Sequence, residues 1–426
     1  VIWLLVVALL LLAAFGAPLF ALIAAVAMIG LYLGGADLTV VMVEFYRLSE
    51  MPVLVAIPLF TLAGYLLSES RAPQRLVRLT DALLGWMPGG LAVVAIVACA
   101  AFTAMTGGTG VTIVAMGALL YPALREARYS ERFSLGLLAS NGSLGILFFP
   151  ALPLILYAII AQPVDPEGRV SVDAMVKAGV MPGLLMVLLL AAYAMYAAPP
   201  LEREKGSFDV REALAALWDT RWELPIIAVV VGGIATGALA PSEIAAVTAS
   251  WVLVVTTLVR REVGPARLVG AIRESMALVG AILLILGVSL ALTYWFIDAG
   301  IPERLFDWVG GHVESKLAFL LLLNVFLLIL GMLLDIFSAT VIMVPIILPI
   351  ALGFGIDPVH LGIIFLANMQ LGYFTPPVGM NLFVASYRFR VPVLDIARAT
   401  LPFFVLLFAA VLLITYWPWL SLALVR

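Results

Sequence analysis

Apolar residues in this chain come in runs far longer than the alternating stretches that line a soluble core. Near-continuous runs span 1–35 (interrupted at Gly16 and Pro18), 52–68, 88–124, 133–160, 175–198, 223–240, 242–259, 275–297, 317–352, 358–387 and 399–420. About 20 such residues cross a bilayer as a helix, so the pattern predicts an all-α polytopic membrane protein. Two runs are too long for one crossing. The run 88–124 is broken at Gly107-Gly108-Thr109-Gly110, and 317–352 near Leu334-Asp335-Ile336-Phe337-Ser338. Neither break is polar enough to leave the membrane, which is the pattern of a re-entrant hairpin that enters and leaves by one face.

The basic residues test that topology, because they concentrate on the cytoplasmic side of membrane proteins. With both hairpins re-entrant, 17 of the 23 Lys and Arg fall on one side, and the other six are Arg47, Arg169, Lys177, Arg304, Lys316 and Arg426. Treating each hairpin as a full crossing instead puts the flanks Arg71, Arg75, Arg78 and Arg125, Arg128, Arg132 on opposite sides. The re-entrant reading is the consistent one. The opening apolar run has no basic flank and no small-residue cleavage site, so a removable signal peptide is not expected. Whether 1–35 crosses once or twice stays open, with symmetry favouring twice.

Displacing the sequence against itself by 227 residues exposes a repeat. Asn141-Gly142-Ser143-Leu144-Gly145, then Pro150, falls on Asn368-Met369-Gln370-Leu371-Gly372, then Pro377, and Pro122 falls on Pro349. Near that offset Ala72-Pro73-Gln74-Arg75-Leu76 resembles Ile301-Pro302-Glu303-Arg304-Leu305. By the topology above the two hairpins open to opposite sides, so the repeats are inverted, a layout of many secondary transporters. The first repeat covers 1–198, with hairpin 88–124 and broken helix 133–160. A polar cytoplasmic connector follows at 199–222. The second repeat covers 223–426, with hairpin 317–352 and broken helix 358–387. Segments 38–50 and 262–274, mixed polar and apolar, suit helices lying on the membrane surface.

Backbone opened at membrane depth must line a cavity or be covered by protein. Its carbonyls suit a small hard cation such as Na⁺, and its N–H groups suit a carboxylate. The first cation site is expected at Gly107, Thr109, Ser140, Asn141 and Gly145, the second at Asp335, Ser338, Asn368, Gly372 and Thr375. Thr109, Ser143, Thr340, Thr375 and Pro376 are the substrate-binding candidates. Asp335 is the sharpest single residue: an ionised carboxylate at a helix centre costs about 2.5–3.5 kcal/mol, and a bound cation would compensate it. Asn324 reads as an interhelical hydrogen-bond donor, and His312 and His360 as ordinary interfacial residues at loop or span ends.

Composition narrows the function. The chain is 64% hydrophobic and 12% charged, with a net charge of −3, which removes a nucleic-acid role. One cysteine and two histidines leave no disulfide framework or metal cluster. Metalloprotease, nucleophile-elbow and phosphate-loop motifs are absent, so the chain reads as no enzyme, with no cofactor, and its transport would run on a gradient.

Several blocks then match a known family. Gly107-Gly108-Thr109-Gly110-Val111-Thr112-Ile113-Val114-Ala115-Met116-Gly117 with Tyr121-Pro122, Leu334-Asp335-Ile336-Phe337-Ser338, Gly355-Ile356-Asp357-Pro358 and Thr375-Pro376-Pro377-Val378-Gly379 resemble the hairpins and broken helix of the large membrane subunit of tripartite ATP-independent periplasmic (TRAP) transporters, the DctM-like family. The likeness covers essentially the whole chain. It implies an elevator-type, sodium-coupled importer of a small organic carboxylate (a C4-dicarboxylate, sialic acid or another sugar or keto acid) in the bacterial inner membrane. Its implied partners are a separate small four-helix membrane subunit, a periplasmic binding protein and the lipid bilayer. Where many relatives carry serines at the first tip and Pro-Pro-Ser in the first broken helix, this chain has Gly107–Gly110 and Phe149-Pro150-Ala151. The first cation site therefore rests more on backbone carbonyls. A stand-alone sodium/divalent-anion symporter of similar architecture, or a passive channel or assembly scaffold, are the alternatives.

Overall fold

The computed structural model describes residues 11–12, 17–199, 208–236, 238–311, 313 and 315–425. His312 and most of the opening run before Ala17 lie outside these residues. The described elements are helical. In chain order they are α1 (Leu19–Gly34), α2 (Thr39–Arg47), α3 (Ala56–Glu69), α4 (Ala72–Leu84), α5 (Gly90–Thr106), α6 (Thr109–Glu126), α7 (Glu131–Asn141), α8 (Leu152–Ala161), α9 (Val172–Tyr196) and α10 (Val210–Asp219). There follow α11 (Leu224–Thr236), α12 (Pro241–Val254), α13 (Pro265–Asp298), α14 (Ile301–Gly310), α15 (Lys316–Leu333), α16 (Ile336–Gly353), α17 (Pro358–Gly372), α18 (Met380–Phe389), α19 (Val393–Tyr416) and α20 (Trp419–Leu422). By length and composition six helices can cross a membrane, or up to seven if the bent pair at Glu131–Val164 counts as one span. The longer tally of apolar runs arises because hydropathy continues unbroken through turns that end helices such as α5 and α17 after 17 and 15 residues.

Both over-long runs split where glycine or a capping residue stops the helix. Gly107 ends α5 with a left-handed φ of 65°, a conformation that costs glycine nothing. The Thr103 and Thr112 hydroxyls then meet at 2.8 Å, although nine residues of straight helix span about 13.5 Å. The chain has folded back. In the second run the open ends meet: the Lys316 ammonium donates to the Gly355 carbonyl at 2.6 Å, and Phe319 stacks on Phe354 at 4.4 Å.

The offset of 227 carries Thr109–Glu126 onto Ile336–Gly353 at both ends, and the starts of α7 and α17 onto one another. It also carries contacts. A Cβ on Gly145 would strike the backbone of Ala100 and Ala104 in α5, and one on Gly372 would strike Gly331 in α15. Gly331 is the counterpart of Ala104. The buried layer is centred on the broken helices: every residue of α8 and of α17 is buried. Leu188, Leu322 and Val405 on α9, α15 and α19 stay exposed, as lipid-facing side chains must. A smaller core joins Ile23, Ala27 and Leu31 of α1 to Val288, Ala291 and Leu292 of α13.

One expectation changes here. Residues 265–274 do not form a separate surface helix; they begin α13, which runs unbroken for 34 residues. That is about 51 Å of helix, longer than a hydrocarbon core of about 30 Å, so its polar first turns project beyond the apolar part. Segment 38–50 does form its own short helix, α2 with a following 3₁₀ turn. The described part of the connector holds α10, which is tied to α4 by Arg78 to Glu212 at 3.0 Å and Asp219 at 3.3 Å. Beneath it Arg75, 6% exposed, donates to Glu223 at 2.5 and 2.8 Å and to Glu262 at 2.5 Å. This buried knot joins α4 to the start of α11 and to the turn before α13.

Candidate functional site

The first break is a place where buried polar atoms lack partners. α7 ends at Asn141, which is fully buried, and neither its Oδ1 nor its Nδ2 meets a hydrogen-bond partner. The Thr109 hydroxyl, on a residue 5% exposed at the start of α6, is also unpartnered. Thr103 ties the two segments together by donating to the Gly142 carbonyl at 3.0 Å. Asn381 of α18 completes the cluster. Its Nδ2 donates to the Ala139 carbonyl at 3.3 Å, its backbone N–H to Tyr373 at 2.8 Å, and its buried Oδ1 is unpartnered. Nothing in the sequence singled out Asn381; its only signal was a polar side chain four residues after Pro377 in an apolar run.

Other first-site candidates are committed within the protein. The Ser140 hydroxyl donates back into its own helix, to Gly136 at 2.8 Å and Leu137 at 3.1 Å. Ser143 donates to the Gln370 carbonyl at 3.1 Å across a separation of 227 residues. Gly107 supplies the tip turn, and Gly145 the close approach to α5. The structure therefore brings Gly107, Thr109, Asn141 and Gly145 around one fold-back and places Ser140 and Ser143 beside them.

At the second break Asn368 is fully buried, with Nδ2 donating to Asn324 Oδ1 at 2.7 Å and to Ile364 at 2.9 Å, while its Oδ1 is unpartnered. The neighbouring Gln370 Oε1 is unpartnered too. Asn324 also accepts from Thr415 at 3.1 Å, while its own Nδ2 donates to Leu320 within α15 at 2.7 Å, so between helices it is an acceptor and not the donor expected. Thr340 donates to Ile336 in its own helix, Thr375, just past α17, donates back to Leu371, and Pro376 is exposed. Gly372 packs against Gly331. His360 is 2% exposed and bonded to Ser421 and Thr415, so it is a buried linking residue and not an interfacial one.

Asp335 is held by its own helix. Its carboxylate caps α16, accepting from the Phe337 and Ser338 N–H groups at 3.0 Å each and from the Ser338 hydroxyl at 2.5 Å. The residue is exposed. Three donors already compensate the charge, so no ion is required to explain it, and Ser338 is occupied as one of them. The two tips thus differ: α6 begins at Gly108 with no side-chain cap, whereas α16 brings its own anion.

Among the described residues no three His, Cys, Asp or Glu side chains gather as a metal site. The orphan atoms are amide and hydroxyl groups, and their oxygens are hard, neutral donors of the kind that suit an alkali cation. A cavity of about 430 Å³ lined by Arg128, Arg132, Tyr129, Phe133 and Phe403 lies at the α6–α7 turn, away from these atoms.

Apolar helices of spanning length, packed around polar breaks, define a multi-pass α-helical membrane protein. A sequence model described as the tripartite ATP-independent periplasmic transporter, DctM component, matches residues 4–420, and the chain belongs to that family. It is 32% identical over 387 residues to the C4-dicarboxylate TRAP transporter large permease protein DctM of Pseudomonas aeruginosa, covering 90% of this chain and 88% of that one. It is 31% identical over 381 residues to the isethionate TRAP transporter permease protein DctMQ of Oleidesulfovibrio alaskensis, 89% of this chain but 59% of that longer protein. Relatives are named as permease subunits, not as enzymes. The crystal structure of the Alcanivorax borkumensis YdaH transporter shares the fold, with a TM-score of 0.63 at 16% identity, over 89% of this chain and 87% of that one.

Proposed function

We propose that this chain is the large transmembrane subunit of a sodium-coupled TRAP importer for a small organic anion, a carboxylate first among candidates. The observation that carries the reading is the set of unpartnered polar atoms at the breaks: Asn141, Thr109 and Asn381 at the first, Asn368 and Gln370 at the second. Native proteins leave few buried polar groups unsatisfied, and each costs about 1–3 kcal/mol when it is. Oxygens held in this state favour a cation that supplies what water would otherwise give. Sodium is therefore assigned to Gly107, Thr109, Asn141 and Gly145 with nearby carbonyls, and to Asn368, Gly372 and Thr375 with Gln370. The substrate anion is assigned to the uncapped start of α6, where Thr109 and free N–H groups face it, rather than to α16, whose N–H groups Asp335 holds.

The repeat is read as 1–198 and 223–426 joined by 199–222, inverted across the membrane, with α5–α8 and α15–α18 moving as an elevator against the remaining helices. The inner membrane is the proposed location. A small membrane subunit and a periplasmic binding protein are the proposed partners, and the DctMQ name of one relative is in keeping with the former.

Uptake into proteoliposomes holding this chain and its small subunit tests the proposal. Radiolabelled C4-dicarboxylates, sialic acid, sugar acids and a sulfonate are offered with and without the binding protein, and with and without an inward Na⁺ gradient. Uptake that needs both is the expected result. Uptake that needs sodium alone identifies a stand-alone symporter, and flux indifferent to sodium identifies a passive pore.

A further inference from the structure

A cavity of about 720 Å³ opens between the α3–α4 turn and the turn that leads into α13. Arg71, Arg260, Arg261 and Arg267 line it against Glu69 and Glu262. Four guanidiniums in one cavity repel one another unless anions intervene, so their pairing decides what the cavity can hold. Glu262 is already engaged: it accepts from Arg75 at 2.5 Å and from the Arg71 N–H at 2.9 Å. Arg260 reaches Asp219 at 3.6 Å. Arg71, Arg261 and Arg267 take part in no ion pair among the described residues. Three unpaired cations therefore face Glu69 alone.

The backbone presents them together. Arg71 stands in the two-residue turn between α3 and α4, and Arg267 in the first turn of α13. Arg261 has a φ of 52°, in the left-handed region that a side chain adopts at a cost, and it is next to Glu262, which the buried Arg75 holds. The first N–H groups of α13, after Gly264, add a positive helix end on the same side. Beside this polar mouth, Leu258, Val259 and Val269 are 68%, 46% and 65% exposed. A free phosphate would use the arginines and ignore that apolar rim. A phospholipid uses both, with its headgroup among the guanidiniums and its chains along the rim.

We propose that this cavity binds a phosphate-bearing anion through Arg71, Arg261 and Arg267, and that its occupant is the headgroup of an anionic phospholipid. Basic pockets between helix ends at a membrane surface suit such headgroups. The site stands apart from the breaks, and it holds whether or not sodium drives transport.

Native mass spectrometry of the purified, delipidated full chain tests it, with phosphatidylglycerol, phosphatidylcholine and inorganic phosphate titrated separately and in competition. Phosphatidylglycerol should be retained at least about tenfold better than phosphatidylcholine, as charge near a surface of this kind dictates. The R71Q/R261Q/R267Q variant should lose on the order of a hundredfold in phosphatidylglycerol affinity, since each arginine contributes roughly fivefold. The R388Q/R398Q variant, with two exposed arginines of the α18–α19 region changed, should retain it. Equal retention of the two lipids by the native chain, a comparison that needs no variant to fold, overturns the proposal. So does a preference that survives the triple variant. Displacement of phosphatidylglycerol by inorganic phosphate at equal concentration keeps the phosphate chemistry and overturns the lipid as its source.

Discussion

Arg75 and Asn141 are both polar side chains sealed from solvent, 6% and 0% exposed, and they are treated in opposite ways. Around Arg75 nearly every donor and acceptor is matched, with Glu223 Oε2 the one carboxylate oxygen of the knot left over. Around Asn141 both side-chain atoms are left open. The first arrangement fastens helices; the second fastens nothing and leaves its polar atoms open. A buried polar residue is thus informative only once its partners are counted.

The largest effect expected from breaking this contrast falls on the knot. Arg75→Leu strands two carboxylates at a buried junction and should lower stability by about 3–5 kcal/mol, read as loss of folded protein on size-exclusion chromatography. Asn141→Leu inverts that outcome. It removes no internal hydrogen bond, so the melting temperature should hold within a few degrees, while sodium-dependent uptake falls at least about tenfold. A variant that unfolds like Arg75→Leu would show that Asn141 is structural.

Asn368→Ala sits between the two, because Asn368 both bonds Asn324 and leaves an oxygen open. It should cost about 1–2 kcal/mol of stability and also weaken sodium dependence. Asp335→Asn keeps a capping oxygen and loses only the charge at the helix start, so it should cost about 1 kcal/mol or less, with the half-saturating sodium concentration changed less than about threefold. A tenfold rise would make its carboxylate an ion ligand after all.

The smallest effect is a pH dependence. Partial burial alone would raise the Glu262 carboxyl, but hydrogen bonds from Arg75 and the Arg71 N–H, with the Arg75 charge, outweigh it and hold it below its ordinary value. A lowered folded value means stability present above the ordinary carboxylate range and lost as pH falls through the folded value. Glu262→Gln should therefore flatten the acid limb of thermal melts taken from about pH 7 to about pH 3, by about 1 kcal/mol or less. An unchanged acid limb would remove Glu262 from the knot's energetics.

Much of the architecture was legible because it rests on hydropathy and punctuation. The breaks at Gly107–Gly110 and Leu334–Ser338 lie where apolar runs exceed a span, and the 227-residue offset was visible in Asn, Gly and Pro. The length of α13 was not legible, since a polar face at 262–274 reads alike on a surface helix and on the projecting end of a spanning one. The site was legible only in part. Asn141 and Asn368 stood out as amides in lipophilic sequence, and both proved to carry open oxygens. Asp335 stood out more, but its charge is compensated by donors two and three residues away, and capping is settled by backbone geometry. Asn381 was missed because it reaches the first break only through tertiary folding.

The hydrogen bond from Ser143 to Gln370 joins residues that are each other's counterparts in the two halves. The Ser143 hydroxyl donates to the backbone carbonyl of its own counterpart, so the two matching passages meet at this point. In an ancestral pair of separate half-length subunits, this position would have held the same residue twice, and any substitution would have changed both sides at once. In one continuous chain the two positions are free to differ, and here they are a serine and a glutamine. The seam between the matching passages is then a place where one side can change without the other.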